Sequence, residues 1–469
     1  MDGKSGLLTL FALGAILGLL SACGGDGGPT LTFTHGIASG DVTPGAVVLW
    51  TRVDQEGDVR AQVAKDEGFS ELMVEGKQRS SADHDFVIKL GVDGLDPATR
   101  YYYRFLPPSG DPSPVGTFET APAPDAATDV TFVYDGDSDA SYKPFNLLTK
   151  VREDDPAFFI YLGDTIYADY TNTGLPAATT LDDYRQRYKV NWEDEPLRAL
   201  LASTSTYAIW DDHEVKNDFA GQDVDQAQMA AGRQAFLEYL PIAQDQTDPN
   251  RLYRTFSWGK DVQLFILDER QYRSAEAICT NEEGSTITIP SFEGDEACKQ
   301  GLADPSRTFL GQEQKEWLKQ VLLASTAKFK FIVNEVAISE LTLLPYDRWE
   351  GYAAERREIL DFLQDNDIKN VIFLTTDLHA SVVKTIDKRY KEVIVGPIGT
   401  VPLAAELEGI GVPLSLAEGL VPDVDYKKLD TFSYGLVKVT TGSTPARVQI
   451  QIKDLEGTVL YTVDIEEEQ

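Results

Sequence analysis

Apolar and polar positions change rhythm along the chain. Between residues 31 and 120, short apolar runs are broken every few positions by Gly, Pro and Asp. LTFTHGIASGD, AVVLWTRV, VRAQVAK, DFVIKLGVDGL and TRYYYRFL have this form. β-branched and aromatic residues suit a pleated surface and the breakers suit turns, so 31–120 predicts a small all-β sandwich resembling a fibronectin type III module. Residues 121–128, APAPDAAT, read as a linker. From 129 to 469 the pattern differs. VTFVYDGD, AFFIYLGD, YAIWDDHE, VQLFILDER, KFKFIVNE and NVIFLTTDLH are continuous apolar runs, as expected of strands buried on both faces. Helical patterns at 143–153, 225–239, 311–323 and 353–364 alternate with them, which predicts an α/β domain. The tail from Phe432 returns to alternation in YGLVKVTT, ARVQIQIKD and VLYTVDI, which should complete a sheet of the same domain.

The first residues have a different character. Residues 7–22, LLTLFALGAILGLLSA, follow Lys4. This run of about 16 is short against the roughly 20 needed to span a bilayer, and it suits a signal-peptide core. Small residues precede Cys23 and GGDGGP follows it. The arrangement resembles a bacterial lipoprotein signal: 1–22 removed, Cys23 lipidated, 23–30 a Gly-rich tether. The expectation is an exported lipoprotein held at the membrane, facing the periplasm or cell surface. The other cysteines, Cys279 and Cys298, flank a polar segment, and in an oxidising compartment they are expected to form a disulfide.

Charge narrows the partners. The 469 residues carry 76 Asp+Glu against 42 Lys+Arg, a net charge of −34. The length fits two domains, and 20 Tyr, 21 Phe and 6 Trp rule out a solvated, disordered chain. So acidic a protein repels phosphate at long range, which argues against nucleic acid as a partner. A phosphate substrate would need a local positive element, and a metal ion is the obvious one.

Five apolar runs end in metal-ligand types: Asp137; Asp164; Asp212 and His213; Asn334; Asp377 and His379. One Asp after a strand is usually a turn or helix-cap residue. Five such ends in an α/β fold, where ligands bind beyond the strand carboxyl ends, point to one shared site. Converging carboxylates repel each other unless a cation joins them. A mostly oxygen shell suits Ca²⁺ or Mg²⁺, and Fe³⁺ when a tyrosine contributes. Structural zinc is disfavoured because Cys and His do not cluster.

Gly163-Asp164-Thr165-Ile166-Tyr167 matches the GDxxY element of dinuclear metallophosphoesterases. HGIASGDVTPGAVVLWTRV, DGLDPATRYYYRF, YLGDTIYADY, WDDHEVKND, LDERQYR, FLGQEQKEWL, RWEGYAAER and TTDLHAS occur in order from Phe33 onward. Together they resemble the PhoD-type alkaline phosphatase/phosphodiesterase family of the metallophosphoesterase superfamily. The resemblance implies a β-sandwich-cored metallophosphatase domain flanked by helices behind the N-terminal sandwich. It implies hydrolysis of small phosphate esters through a metal-activated water, with iron and calcium (Fe³⁺ and Ca²⁺; Mn²⁺, Mg²⁺ or Zn²⁺ as alternatives). Asp164 would bridge the metals, Tyr167 would bind iron, and Asp212, Asp377 and His379 would be further ligands. His213 would contact phosphate and protonate the leaving group, with Asn217 and Arg273 as weaker substrate contacts. The family places Cys where this chain has Asp137, so iron would be held by Asp137, Asp164, Tyr167 and His379, as in purple acid phosphatases. Asp139 is the other candidate for that position.

The competing readings are a calcium-binding surface lipoprotein without catalysis on the same scaffold, and a dinuclear hydrolase of phospholipids or carboxylic esters. A monomer is expected. His84 reads as a surface residue, His35 as a packing residue, and Trp349 and Tyr352 as core or pocket wall. Segments 271–308 and 401–424 read as loops that could cover the site.

Overall fold

The computed structural model describes residues 29–275, 277, 300–341 and 347–468. The signal segment, Cys23, Cys279, Cys298 and much of 271–308 lie outside the described residues.

The N-terminal region supplies β1 (Phe33–Gly40), β2 (Ala46–Val53), β3 (Asp58–Ala64), β4 (Leu72–Arg79), β5 (Val87–Asp93), β6 (Arg100–Leu106) and β7 (Gly116–Glu119). It is all-β, as its turn-rich pattern predicts. Strands β4-β3-β6-β7 form one antiparallel sheet, and β1-β2-β5 lie in another. Phe33 of β1 meets Phe105 of β6 at 6.3 Å between ring centroids. The sequence reading passes over β4, an edge strand with no buried side chain. Gly40 of β1 also pairs in parallel with Thr206, so these strands extend a sheet of the following domain.

That domain contributes β8 (Val130–Asp135), β9 (Phe158–Leu162), β10 (Ser205–Ile209), β11 (Arg254–Trp258), β12 (Val262–Ile266), β13 (Phe329–Val333), β14 (Val371–Thr375), β15 (Ser381–Ile386), β16 (Tyr390–Ile394), β17 (Tyr426–Lys428), β18 (Ser433–Thr440), β19 (Arg447–Asp454) and β20 (Val459–Glu466). One sheet runs β20-β19-β18-β8-β9-β10-β1-β2-β5, the other β11-β12-β13-β14-β16-β15-β17. The tail strands complete the first sheet through β18 and β8.

The strand period of two explains the layers. Phe331, Val333, Ile372 and Leu374 face the first sheet, where Phe331 meets Phe132 at 5.3 Å. Their neighbours Ile332 and Phe373 face the other way, onto Leu318 and Leu322 of one helix and Ile359, Leu360 and Leu363 of another. Strands covered on both faces must be apolar throughout, which is why these runs do not alternate.

The helices are α1 (Leu147–Glu153), α2 (Leu181–Asn191), α3 (Glu195–Ser203), α4 (Gln226–Tyr239), α5 (Gly311–Ala324), α6 (Ala353–Asp365), α7 (Leu403–Gly409) and α8 (Leu414–Leu420). The result is a two-sheet sandwich flanked by helices. Residues 401–424 are not a plain loop, because they carry α7 and α8. Pro402 and Pro413 stand directly before them, and Leu403, Ala404 and Leu407 are buried on one face of α7.

Candidate metal centre

Strands β8, β9 and β10 run parallel, as do β12, β13, β14 and β16, so within each sheet their carboxyl ends open to one side. Asp139 N donates to Gly399 O at 2.7 Å, and Thr376 Oγ1 donates to Leu162 O at 2.6 Å, stitching the two sheets together at these ends. The approach is close enough to require glycine at 136, where a Cβ would lie 2.2 Å from Leu162 O. Asp137, Asp164, Asp377 and His379 all have left-handed backbone, with φ of 63°, 47°, 63° and 53°. That conformation costs an L-residue about 1–2 kcal/mol, which the surrounding packing must offset.

Ligand atoms of Asp137, Asp164 and His379 lie within 4.8 Å of one another, as do those of Asp164, Asp212 and His213. Asp164 belongs to both groups. Asp212, Asp218 and Asp347 form another such group. Tyr167 Oη is 3.0 Å from His379 Nε2, which brings the phenol to the first group.

Asp137 is 1% exposed, and neither carboxylate oxygen has a hydrogen-bond partner. A buried, unpaired carboxylate is costly to ionise. Burial pushes its pKa up, and the charges of Asp377, Asp135 and Asp211 push the same way. Asp164 is raised first by burial, then by Asp212 and Asp211. A cation among these oxygens reverses every one of those effects, so the donor set fits a metal. Asp139, the other candidate for this position, differs in having hydrogen-bond partners. Its oxygens accept from Ser141 N, Ser141 Oγ and Asn172 Nδ2 at 2.6–2.9 Å.

The two histidines have opposite electrostatics. Burial, His213 and Arg348 hold His379 down to about 3, leaving the neutral imidazole that metal ligation requires. Burial also disfavours charge on His213, but Asp212 and the Asp169 hydrogen bond outweigh it and raise it to about 9. His213 Nδ1 lies 2.6 Å from Asp169 Oδ1, Nε2 is 4.0 Å from Asp164 Oδ2, and the ring stacks on Tyr167 at 4.2 Å.

Residues around the cluster hold it in shape. Glu214 accepts from Thr165 N and Thr165 Oγ1 at 2.6 Å and from Asp211 N at 2.9 Å, tying the turn after β9 to the turn after β10. Arg270, fully buried, pairs with Asp211 and with Asp347 at 2.7 Å, and reaches to 3.7 Å from Asp212. Arg348 pairs with Asp377 at 3.0 Å.

The remaining expected residues are held by their own partners. Asn334 Oδ1 accepts from Trp349 Nε1 at 2.9 Å, inside the core. Arg273 is fully buried against Asp347. Asn217 is exposed, and its backbone N donates to Asp169 Oδ2 at 2.9 Å. The His84 side chain is 66% exposed, and His35 Nδ1 is 2.7 Å from Thr34 Oγ1. Sequence reasoning missed Asp169, Asp218, Glu214, Arg270 and Asp347. The signal for Asp169 was available: it stands two residues after Tyr167 in a quoted motif.

The family description "PhoD-like phosphatase" matches residues 137–448, and "PhoD-like phosphatase, N-terminal domain" matches 25–122. The chain belongs to the PhoD-like phosphatase family. Alkaline phosphatase D of Bacillus subtilis (strain 168) is 32% identical over 391 residues, a match spanning 74% of this chain and 64% of that protein. The solved structure of PhoD superposes with a TM-score of 0.77 at 25% identity, covering 96% of this chain and 94% of the other. A purple acid phosphatase from yellow lupin, PPD1, shares the fold at TM-score 0.57 and 11% identity, over 93% and 74% of the two chains.

Proposed function

We propose that the chain is a metal-dependent phosphoric ester hydrolase acting at the Asp137–Asp164–Asp212 cluster. The observation that carries this is Asp137: a buried carboxylate with two unpartnered oxygens, in a group with Asp164 and His379. Asp137, Asp164, Tyr167 and His379 would hold a ferric ion. Asp164, Asp212 and Asp377 would supply oxygens to a calcium ion; Mn²⁺, Mg²⁺ or Zn²⁺ are the alternatives. Bound there, the cations would polarise the phosphoryl oxygens and lower the pKa of a water.

The chain's own residues do the rest. Asp169 holds His213 by its Nδ1, leaving Nε2 to give a proton to the leaving oxygen. The stacked Tyr167 ring and the edge of Tyr170, 4.8 Å from the imidazole, fix its plane. The non-catalytic calcium-binding reading is not favoured, because this proton-donating pair is kept intact beside the metal ligands.

The polypeptide is read as an exported lipoprotein anchored through Cys23, with a Cys279–Cys298 disulfide. Both rest on the sequence pattern. Among the described residues no helix is long and apolar enough to cross a membrane.

Hydrolysis of bis-p-nitrophenyl phosphate by residues 24–469, stripped with chelator and resupplied with each cation singly and in pairs, tests the proposal. Activity that vanishes with chelator and returns with particular ions supports it; activity indifferent to chelator sinks it.

A further inference from the structure

A cavity of ≈ 770 Å³ is lined by none of the metal centre's candidate ligands. Two elements bound it, and each presents one face. Along β5, Val87, Lys89 and Gly91 recur at the strand period of two. Along α4, Ala230, Arg233, Gln234 and Leu237 recur at the helix spacing of three and four. At Gly91 an added Cβ would meet nothing within 4 Å, so the strand faces open space there. The size falls within the range of small-molecule sites, about 300–1,000 Å³.

The charge of this cavity is out of keeping with the molecule. In a chain of net charge −34, the cavity holds two basic side chains, Lys89 and Arg233, with no carboxylate partner among the described residues. Lys89 Nζ donates to the carbonyl of Leu237 at 2.6 Å, and Arg233 Nη1 donates to Gln271 Oε1 at 3.0 Å. Glu238, which also lines the cavity, is already engaged by Arg185 through two bonds of 2.7 and 2.8 Å and lies 3.3 Å from His84 Nδ1. Burial pulls Lys89 down to about 7, with Arg254 pushing the same way and Asp41 and Glu238 opposing, so an anion beside it would favour the charged form. Capping the end of α4 explains one of its three protons. It explains neither Arg233 nor the cavity that both residues line.

We infer that this cavity binds a small organic anion, with one carboxylate or phosphoryl head between Lys89 and Arg233 and an apolar body against Val48, Val87, Leu237 and Ile242. The head supplies the missing negative charge, and the apolar body suits the aliphatic wall.

The test is calorimetric titration of the metal-loaded protein with hexanoate, with hexylphosphonate, which is not hydrolysed, and with 1-hexanol, which lacks the charge. The anions should bind at least tenfold more tightly than hexanol, and their ratio separates a carboxylate from a phosphoryl preference. Lys89→Met, which keeps the aliphatic stem, should erase that advantage, and Lys89→Arg should retain it. Gly91→Phe, which fills the volume and leaves both cations in place, should abolish binding of all three; it carries the test if Lys89→Met does not fold. Anion binding that survives both variants and disappears with chelator belongs to the metal centre and overturns the inference. So does equal affinity for hexanol and the anions, which would leave Lys89 a helix cap.

Discussion

Asp169 Oδ1 lies 2.6 Å from His213 Nδ1, on the side of the ring away from the nitrogen that faces Asp164. The same carboxylate accepts from Asn217 N through its other oxygen. One side chain thus fixes the tautomer, the plane and the charge of the histidine, and anchors the turn that carries it.

Replacing Asp169 by Asn should lower kcat for poor leaving groups by roughly 10–100-fold, on the scale seen when a metal-site histidine loses its outer partner. The loss should be smaller for p-nitrophenyl esters, which need less protonation. The pH profile has a definite sign. With Asp212 engaged by a cation, the Asp169 hydrogen bond is the leading raising cause that remains on His213, which therefore holds its proton to higher pH than it would without Asp169 and loses it as pH rises. Without Asp169 one raising cause is gone, and the alkaline limb should move to lower pH. An unmoved limb would remove His213 from the acid role.

Tyr167 should be the source of visible colour if the ion held with Asp137 is ferric. Tyr167→Phe should then abolish the absorption band of the iron-loaded protein while Phe at Tyr170 leaves it. A band indifferent to Tyr167 assigns the iron elsewhere.

Arg270 is expected to matter for folding first. It is fully buried and pairs with Asp211 and Asp347. Arg270→Met strands buried carboxylates and should cost about 3–5 kcal/mol in urea unfolding. Burial alone would raise Asp347, but Arg270 and Arg273 overcome it and hold it below the usual range. A depressed folded pKa contributes stability above the unfolded value, near 4, and that share is lost as pH falls. The variant should therefore lose most at neutral pH and differ less from the wild type in acid. A loss that is the same at both pH values contradicts this account.

Ionic strength should act in an unusual direction. With a net charge of −34, the chain repels an anionic substrate at distances where the buried cations cannot help. kcat/KM should rise with moderate salt. A steep fall would mean that the approach to the site is electropositive.

Much of this was legible in the sequence. The uninterrupted apolar runs from FFIYL to VIFLT announce strands covered on both faces, and the ligand types at their ends announce the cluster. Asp137 could be nominated over Asp139 only by its place in the motif; the structure adds that Asp139, unlike Asp137, has its oxygens hydrogen-bonded, to Ser141 and Asn172. Asn334 carried the same strand-end signal and was misleading, since its amide turns into the core toward Trp349. Asp347 and Arg270 were hidden because they meet across 77 residues of chain, and no local spacing reports such a pair. The edge strand β4 was hidden because an exposed edge does not need apolar alternation.

The most direct test measures bound metal and bis-p-nitrophenyl phosphate turnover on the same samples of wild type and Asp164→Asn, since Asp164 stands in both ligand groups. The account predicts at least two cations per wild-type chain, with metal and turnover lost together in the variant. Full turnover by an Asp164→Asn protein that has lost its metal would contradict it.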